Sequence, residues 1–350
     1  MRIGLAINYA GGTLAFGNDF SQVADEIADL ERAGLDIVFV PESYTFDAVG
    51  LLGYLAARTS TVQLASGVLQ LYSRTPTLTA MTAAGLDFVS GGRFVLGLGA
   101  SGPQVIEGFH GVPYDHPLGR TREVIDICRR VWRRERLEHR GTHYQVPLPG
   151  GTGLGKPLKL IDHPVRPDIP IVLAALGPRN VALAAELAEG WQPLFLLPEQ
   201  VDRVWGAELK AGAARRDSSL GPLDVYAGPP LAIGDDVDHL RELVKPNLAL
   251  YIGGMGAKGK NFYHALVTQY GYGAAADRVQ DLYLAGRKAD AARAVPDALV
   301  RDLSLIGSNA FVKERVEAFR AAGVTVLNVV PLGPTARDRR THIERLRALL

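Results

Sequence analysis

Val62-Gln63-Leu64-Ala65-Ser66-Gly67-Val68 and Phe94-Val95-Leu96-Gly97-Leu98-Gly99 are two apolar runs with one helical stretch between them. Each run is apolar nearly throughout, as a strand covered on both faces must be. Thr75 stands where a helix N-cap belongs and Pro76 at its first position, where the missing N–H is no loss. The helical pattern stops at Ser90-Gly91-Gly92. Strand, helix, strand within about forty residues requires a crossover and so a parallel pair. The same rhythm extends both ways. Upstream are a strand at 3–7, a stretch with Phe20, Val23, Ile27 and Leu30 on one face, and a strand at 35–40. Downstream come a helix at about 120–133, a strand at 171–176, a helix opening at Pro178, and strands at 190–196, 223–227 and 324–330. An amphipathic segment from Arg337 to the end completes the set. Eight strands separated by helices, with no early Gly-x-Gly-x-x-Gly turn, favour an α/β fold of the closed (β/α)8 barrel type over an open doubly wound sheet.

Two stretches break the rhythm. Residues 134–168, with Pro147-Leu148-Pro149-Gly150-Gly151 at their centre, lack sustained periodicity and are expected as an insertion after strand four, lying over the barrel mouth. About ninety residues between strands seven and eight are expected to be mostly helical. Residues 1–350 are read as a single domain.

The chain has 350 residues, 47% hydrophobic and 21% charged, enough for a full-sized core. A net charge of +1 gives no electrostatic reason to expect nucleic acid or an anionic membrane as partner. The single cysteine, Cys128, excludes an internal disulfide and an all-cysteine metal site; it falls on the apolar side of a helical pattern, as a structural thiol does. No signal segment precedes the first strand and no apolar run reaches the roughly 18 residues of a membrane span, so a cytoplasmic protein is expected.

In such barrels the chemistry sits where strands end. Those ends here are Asn8, Pro41-Glu42-Ser43, Ser66-Gly67-Val68, Gly99-Ala100-Ser101-Gly102, Ala175-Leu176-Gly177, Phe195, Ala227-Gly228 and Val330-Pro331. The set is rich in small residues and holds one carboxylate, Glu42, with no cluster of His, Asp and Glu, so metal-assisted hydrolysis and paired-carboxylate glycosidase chemistry lose support and no metal site is expected. Gly177-Pro178-Arg179 fits an anion: glycine admits close approach, Pro178 starts a helix whose free N–H groups attract negative charge, and Arg179 adds a guanidinium fork. A plain strand-to-helix turn reads equally well. The glycines of Gly97-Leu98-Gly99-Ala100-Ser101-Gly102 either contact a ligand or relieve crowding. His110 could donate a proton or pair a loop carbonyl. Gly253-Gly254-Met255-Gly256 lacks the Gly-Lys-Ser/Thr ending of a phosphate loop.

Several of these motifs together resemble the bacterial luciferase-like superfamily, in its branch dependent on the deazaflavin coenzyme F-420 that includes methylenetetrahydromethanopterin reductase-like enzymes. The residues are Asp36-Ile37-Val38-Phe39-Val40-Pro41-Glu42, Gly97 to Val105, Gly108-Phe109-His110-Gly111, Ala175-Leu176-Gly177-Pro178-Arg179 and Phe319-Arg320-Ala321-Ala322-Gly323-Val324. The resemblance implies a non-prolyl cis peptide at a bulge ending strand three, here at Gly67-Val68 after Ser66, behind the cofactor ring. It places the cofactor phosphate at Gly177, Pro178 and Arg179 beside Ala175, its tail beside Ser101 and Gly102, and Glu42 near the reacting ring. It also implies a homodimer through the helices after strands two and three, where the Ala- and Thr-rich face of 77–84 suits close packing. Sugar-phosphate dehydrogenases of the superfamily carry a histidine where Ser43 stands and a glutamate where Pro103 and Gln104 stand, so a glucose-6-phosphate-type substrate is disfavoured.

The expectation is a reductase or dehydrogenase moving a hydride between F-420 and a small organic substrate, with Glu42 nearest the reacting carbon and Gln104 and His110 orienting substrate or relaying a proton. The alternatives are an FMN-dependent monooxygenase on the same scaffold and a cofactor-binding paralogue without turnover.

Overall fold

The computed structural model describes residues 1–7 and 19–350; the expected strand end at Asn8 lies outside them. Eight parallel strands follow chain order: β1 (Arg2–Ala6), β2 (Ile37–Val40), β3 (Gln63–Ser66), β4 (Phe94–Gly99), β5 (Ile171–Ala174), β6 (Gly190–Gln192), β7 (Asp224–Ala227) and β8 (Val326–Pro331). With their intervening helices they make the (β/α)8 barrel fold that the alternation implied. The chain forms two compact units. One comprises Met1–Leu5, Pro193–Ala207 and Val225–Leu350, the other Ala6–Gln192 and Glu208–Asp224.

In the second unit β2 pairs β3 with Val38 opposite Leu64, β3 pairs β4 through Leu64 and Phe94, and β4 pairs β5 through Leu96 and Ile171. The residues of β2 and β4 are all buried, which is why these runs carry no polar alternation. The expected run at 62–68 is shorter as a strand because Gly67 and Val68 leave the ladder; Leu69 and Gln70 rejoin it opposite Leu98 and Gly99. Helix Pro76–Val89 begins as read: the Thr75 side chain accepts the Leu78 N–H at 3.2 Å and Pro76 takes the first position. Its small residues pack inward, with Ala80 and Ala83 fully buried and Ala80 O accepting the Trp132 indole N–H at 3.0 Å. The Ala-rich face expected to meet a partner is therefore occupied within the chain, and the outward stripe of this helix is Leu78, Met81, Phe88 and Val89. Cys128 is wholly buried in helix Pro117–Trp132, and burial pushes its thiol well above the ordinary range, in keeping with a structural role.

The segment 134–168 contains a short hairpin, His139–Arg140 against Gln145–Val146. Its fixed contacts run to the helix layer. Glu123 of helix Pro117–Trp132 accepts the N–H groups of Thr142, His143 and Tyr144, and Arg166 pairs with buried Asp87 at 2.7 Å. Those bonds fix the segment to the outer helices at these points.

In the first unit β1 and β7 both pair β8, through Ile3 and Leu327 and through Tyr226 and Val326. The region before β8 is mostly helical, as expected, but it also holds two strands that the periodicity missed, Pro230–Ile233 and Leu305–Gly307, paired through Leu231 and Leu305.

Candidate functional site

The residues singled out for the site all lie in the second unit. At the exit of β3, Ser66 is fully buried and its hydroxyl ties β3 to β4, donating to Gly97 O at 2.8 Å and accepting from Gly97 N at 2.9 Å. The Gly67–Val68 peptide that follows is cis, as the family resemblance implied. The two β4 glycines are explained by this bulge. A Cβ at Gly97 would lie 1.8 Å from Ser66 O, and one at Gly99 would lie 2.6 Å from a Val68 methyl. Both therefore relieve crowding, Gly97 against Ser66 and Gly99 against Val68.

Beyond β4, Ser101 adopts a left-handed φ of 58° and Gly102 caps the short helix Pro103–Ile106. Ser101 O accepts from the Tyr114 hydroxyl at 3.3 Å, and the Tyr114 ring packs 5.2 Å from that of Tyr72. Gln104 is exposed. His110 is half-buried, its ring edge-on to Phe109, and its Nε2 is shielded from solvent with no hydrogen-bond partner. Of the two roles considered for it, pairing a carbonyl through Nε2 is not the one observed.

At the exit of β5, Ala175 is buried and its carbonyl accepts the Trp191 indole N–H at 2.9 Å. Gly177 caps helix Pro178–Leu187 with extended backbone and no side-chain cap, so no cap side chain satisfies the first N–H groups. Arg179 in that first turn is exposed and takes part in no ion pair among the described residues. The helix dipole, uncapped N–H groups and an exposed guanidinium all belong to this first turn, and these are the ingredients of an anion site.

Glu42 holds the largest surprise. It is 9% exposed and forms a two-pronged pair with Arg74, Oε1 to Nη1 at 2.6 Å and Oε2 to Nη2 at 2.8 Å, while Oε2 also accepts the Ala48 N–H at 3.2 Å. The Glu42 carboxylate holds the Arg74 guanidinium above its usual range. Arg74 also reaches Asp47 at 2.5 Å. Glu42 thus sits in a charged clasp. Sequence reasoning missed Arg74, and its one available signal is a cation directly before the Thr75-Pro76 helix start.

Chemically, these strand exits offer an anion cradle at Gly177–Arg179, a smooth bulge at Gly67–Val68 and a neutralised carboxylate. They also present buried polar atoms with no protein partner: Gln70 Oε1 after the bulge, Gln192 Oε1 at the end of β6 and His110 Nε2. Such atoms suit a ligand with polar groups, because each needs a hydrogen bond that the protein does not supply, and the uncapped helix start with Arg179 suits a phosphate. The residues therefore fit F-420.

The chain is similar along most of its length to known proteins. The family model described as luciferase-like monooxygenase matches residues 1–326. A protein of Mycobacterium tuberculosis, provisionally named a coenzyme F-420-dependent oxidoreductase, is 43% identical over 344 residues, 97% of each chain. The 5,10-methylenetetrahydromethanopterin reductase of Archaeoglobus fulgidus is 28% identical over 317 residues, 90% of each chain. Among solved structures, the F-420-dependent tetrahydromethanopterin reductase of Methanopyrus kandleri superposes with a TM-score of 0.80 at 22% identity, over 99% of this chain and 97% of that one, a likeness of fold. The chain belongs to the luciferase-like family, in its F-420-dependent oxidoreductase branch.

Proposed function

We propose that this protein is an F-420-dependent reductase or dehydrogenase that transfers a hydride between the deazaflavin and a small organic substrate. The observation that carries the reading is the β5 exit, where Gly177, Pro178 and Arg179 supply an anion cradle in a chain 43% identical, over 97% of its length, to a relative provisionally named an F-420-dependent oxidoreductase. When bound, F-420 supplies the two-electron hydride chemistry. The chain's own residues bind the phosphate at Gly177–Arg179, back the ring with Gly67 and Val68 beside Ala175, and steady the tail at Ser101 and Gly102. Glu42, held by Arg74, orients polar groups near the reacting carbon as a hydrogen-bond acceptor. His110, with its free Nε2, and exposed Gln104 are the groups we assign to substrate orientation and proton relay. Partners are a small-molecule substrate and, in this reading, a second copy of the chain. No helix among the described residues is long and apolar enough to cross a membrane.

Fluorescence titration of the purified protein with F-420 and separately with FMN tests the assignment. Tight F-420 binding is expected, weakened about tenfold in Arg179→Ala because a charge-assisted contact to phosphate is lost. Binding of FMN with none of F-420 would replace this reading with the monooxygenase. Full F-420 affinity without turnover of any acceptor, unchanged by Glu42→Gln, would replace it with a paralogue that binds cofactor only.

A further inference from the structure

Phe195 lies three residues beyond the end of β6, at a strand exit of the kind that carries sites in barrels. Its φ is 56°, in the left-handed region that a bulky aromatic residue rarely adopts. Tyr270 holds it there: the Tyr270 hydroxyl donates to Phe195 O at 2.8 Å and accepts from Leu197 N at 3.4 Å. Tyr270 itself is buried. The ring so positioned meets Tyr251 at 5.4 Å and Tyr263 at 6.0 Å, and those two meet each other at 4.8 Å. The three planes are mutually steep, at 86°, 69° and 81°.

The spacing of the two tyrosines is also built. Tyr251 is on helix Lys245–Gly254 and Tyr263 on helix Phe262–Val267. Buried Asn261 links them with four hydrogen bonds: its Nδ2 donates to Tyr251 O and Ile252 O, and its Oδ1 accepts from Tyr263 N and His264 N. The Gly253-Gly254-Met255-Gly256 motif finds its purpose here. A Cβ at Gly253 or Gly254 would lie 2.4 or 2.5 Å from the Tyr283 side chain, and one at Gly256 would lie 2.9 Å from Asn261 Cα. Gly253 and Gly254 thus make room for Tyr283 against the helix that carries Tyr251, and Gly256 lets the chain close on the asparagine that sets the two rings.

The supporting residues Tyr270 and Asn261 are buried, whereas the three rings they position are only half-buried. A core cluster shows the opposite order, with rings inside and polar supports outside. Rigid, half-open rings held by a buried polar shell are how a binding surface is made. We propose that Phe195, Tyr251 and Tyr263 form an aromatic wall for a small molecule that carries a planar aromatic or conjugated ring. Edge and face contacts with such a ring favour it over a saturated one of equal size.

The test uses the full chain loaded with F-420, with 2-naphthol and its saturated counterpart decahydro-2-naphthol as probes in saturation-transfer NMR titrations. The naphthol is expected to bind about fivefold tighter than the saturated alcohol, an aromatic-pair increment on the order of 1 kcal/mol. Phe195→Leu and Tyr263→Leu, each checked for an unchanged circular dichroism spectrum, should abolish that preference while leaving the F-420 titration unaltered. Tyr263→Leu, on a helix, serves where Phe195→Leu fails to fold. Equal affinity for the two probes, or an undiminished preference in the folded variants, would overturn the wall.

Discussion

The Glu42 carboxylate accepts three hydrogen bonds, two from Arg74 and one from the Ala48 N–H, with the pair's side chains only 7% and 13% exposed. A role as proton donor requires that clasp to open, whereas orienting a ligand does not, which is why the acceptor role is assigned. The clasp also has a stability consequence. Arg74→Met leaves a shielded carboxylate without its counter-charge and should destabilise the fold by about 3 kcal/mol, read as a lower urea midpoint at constant slope. Glu42→Gln keeps an amide acceptor and should lose less; an Arg74→Met midpoint equal to wild type would mean that the pair contributes nothing. Glu42 was legible in the sequence because an acid ending an apolar strand must face water or a ligand. Arg74 was not, since the pair joins positions 32 residues apart that only the folded chain brings together. The same holds at Gly97: the crowding reading could be written from sequence, but the atom it relieves, Ser66 O, could not.

Among the elements, long runs and capped helices were readable, and short ones were not. β4 and the start of helix Pro76–Val89 fall where the apolar pattern and the Thr75-Pro76 cap put them. Pro230–Ile233 and Leu305–Gly307 are three or four residues long, below the length at which periodicity separates strand from buried helix, and tertiary pairing alone makes them strands. The first of these is tied to the closing helix, Ala336–Leu349, by the Ile233 N–H, which donates to His342 Nδ1 at 3.2 Å. That bond needs an unprotonated Nδ1. Burial, then the nearby Arg345, holds the His342 imidazole below its usual range. The folded state thus binds its proton less readily than the unfolded chain. The stabilisation is complete above the ordinary histidine pKa of about 6.5 and fades as pH falls from there through the lower folded value. Wild type should therefore lose melting temperature between about pH 7.5 and pH 5 more steeply than His342→Gln, whose amide has no such proton to take up. Parallel slopes for the two proteins over that window would remove His342 from the acid response.

For the molecule as a whole, the outward face of the helices after β2 and β3 is the feature that the chain itself does not account for. Leu78, Met81, Phe88 and Val89 stand 47%, 54%, 70% and 57% exposed on helix Pro76–Val89, a continuous apolar stripe of the sort that marks an interaction surface. Gly85 lies in its middle, and Gly50 and Gly53 lie on the neighbouring helix Ala48–Arg58. A Cβ at any of the three would meet nothing within 4 Å. Glycine inside a helix is worse than alanine by about 1 kcal/mol, so positions with room to spare within the chain gain from glycine only if something outside approaches closely. A second copy of this face, packed on the first about a two-fold axis, would do so. This argument replaces the Thr77–Ala84 face, whose alanines are already used inside. Wild type should then sediment at twice the 37.6 kDa chain mass. Gly85→Ala should raise the stability of a monomeric protein through helix propensity, yet weaken a dimer by holding the helices apart, so the sign of its effect separates the two states. Met81→Glu combined with Phe88→Glu should yield monomers outright. A wild type that stays monomeric at high concentration, together with a Gly85→Ala variant that melts higher, would mean that this face meets no second copy and that its glycines need another explanation.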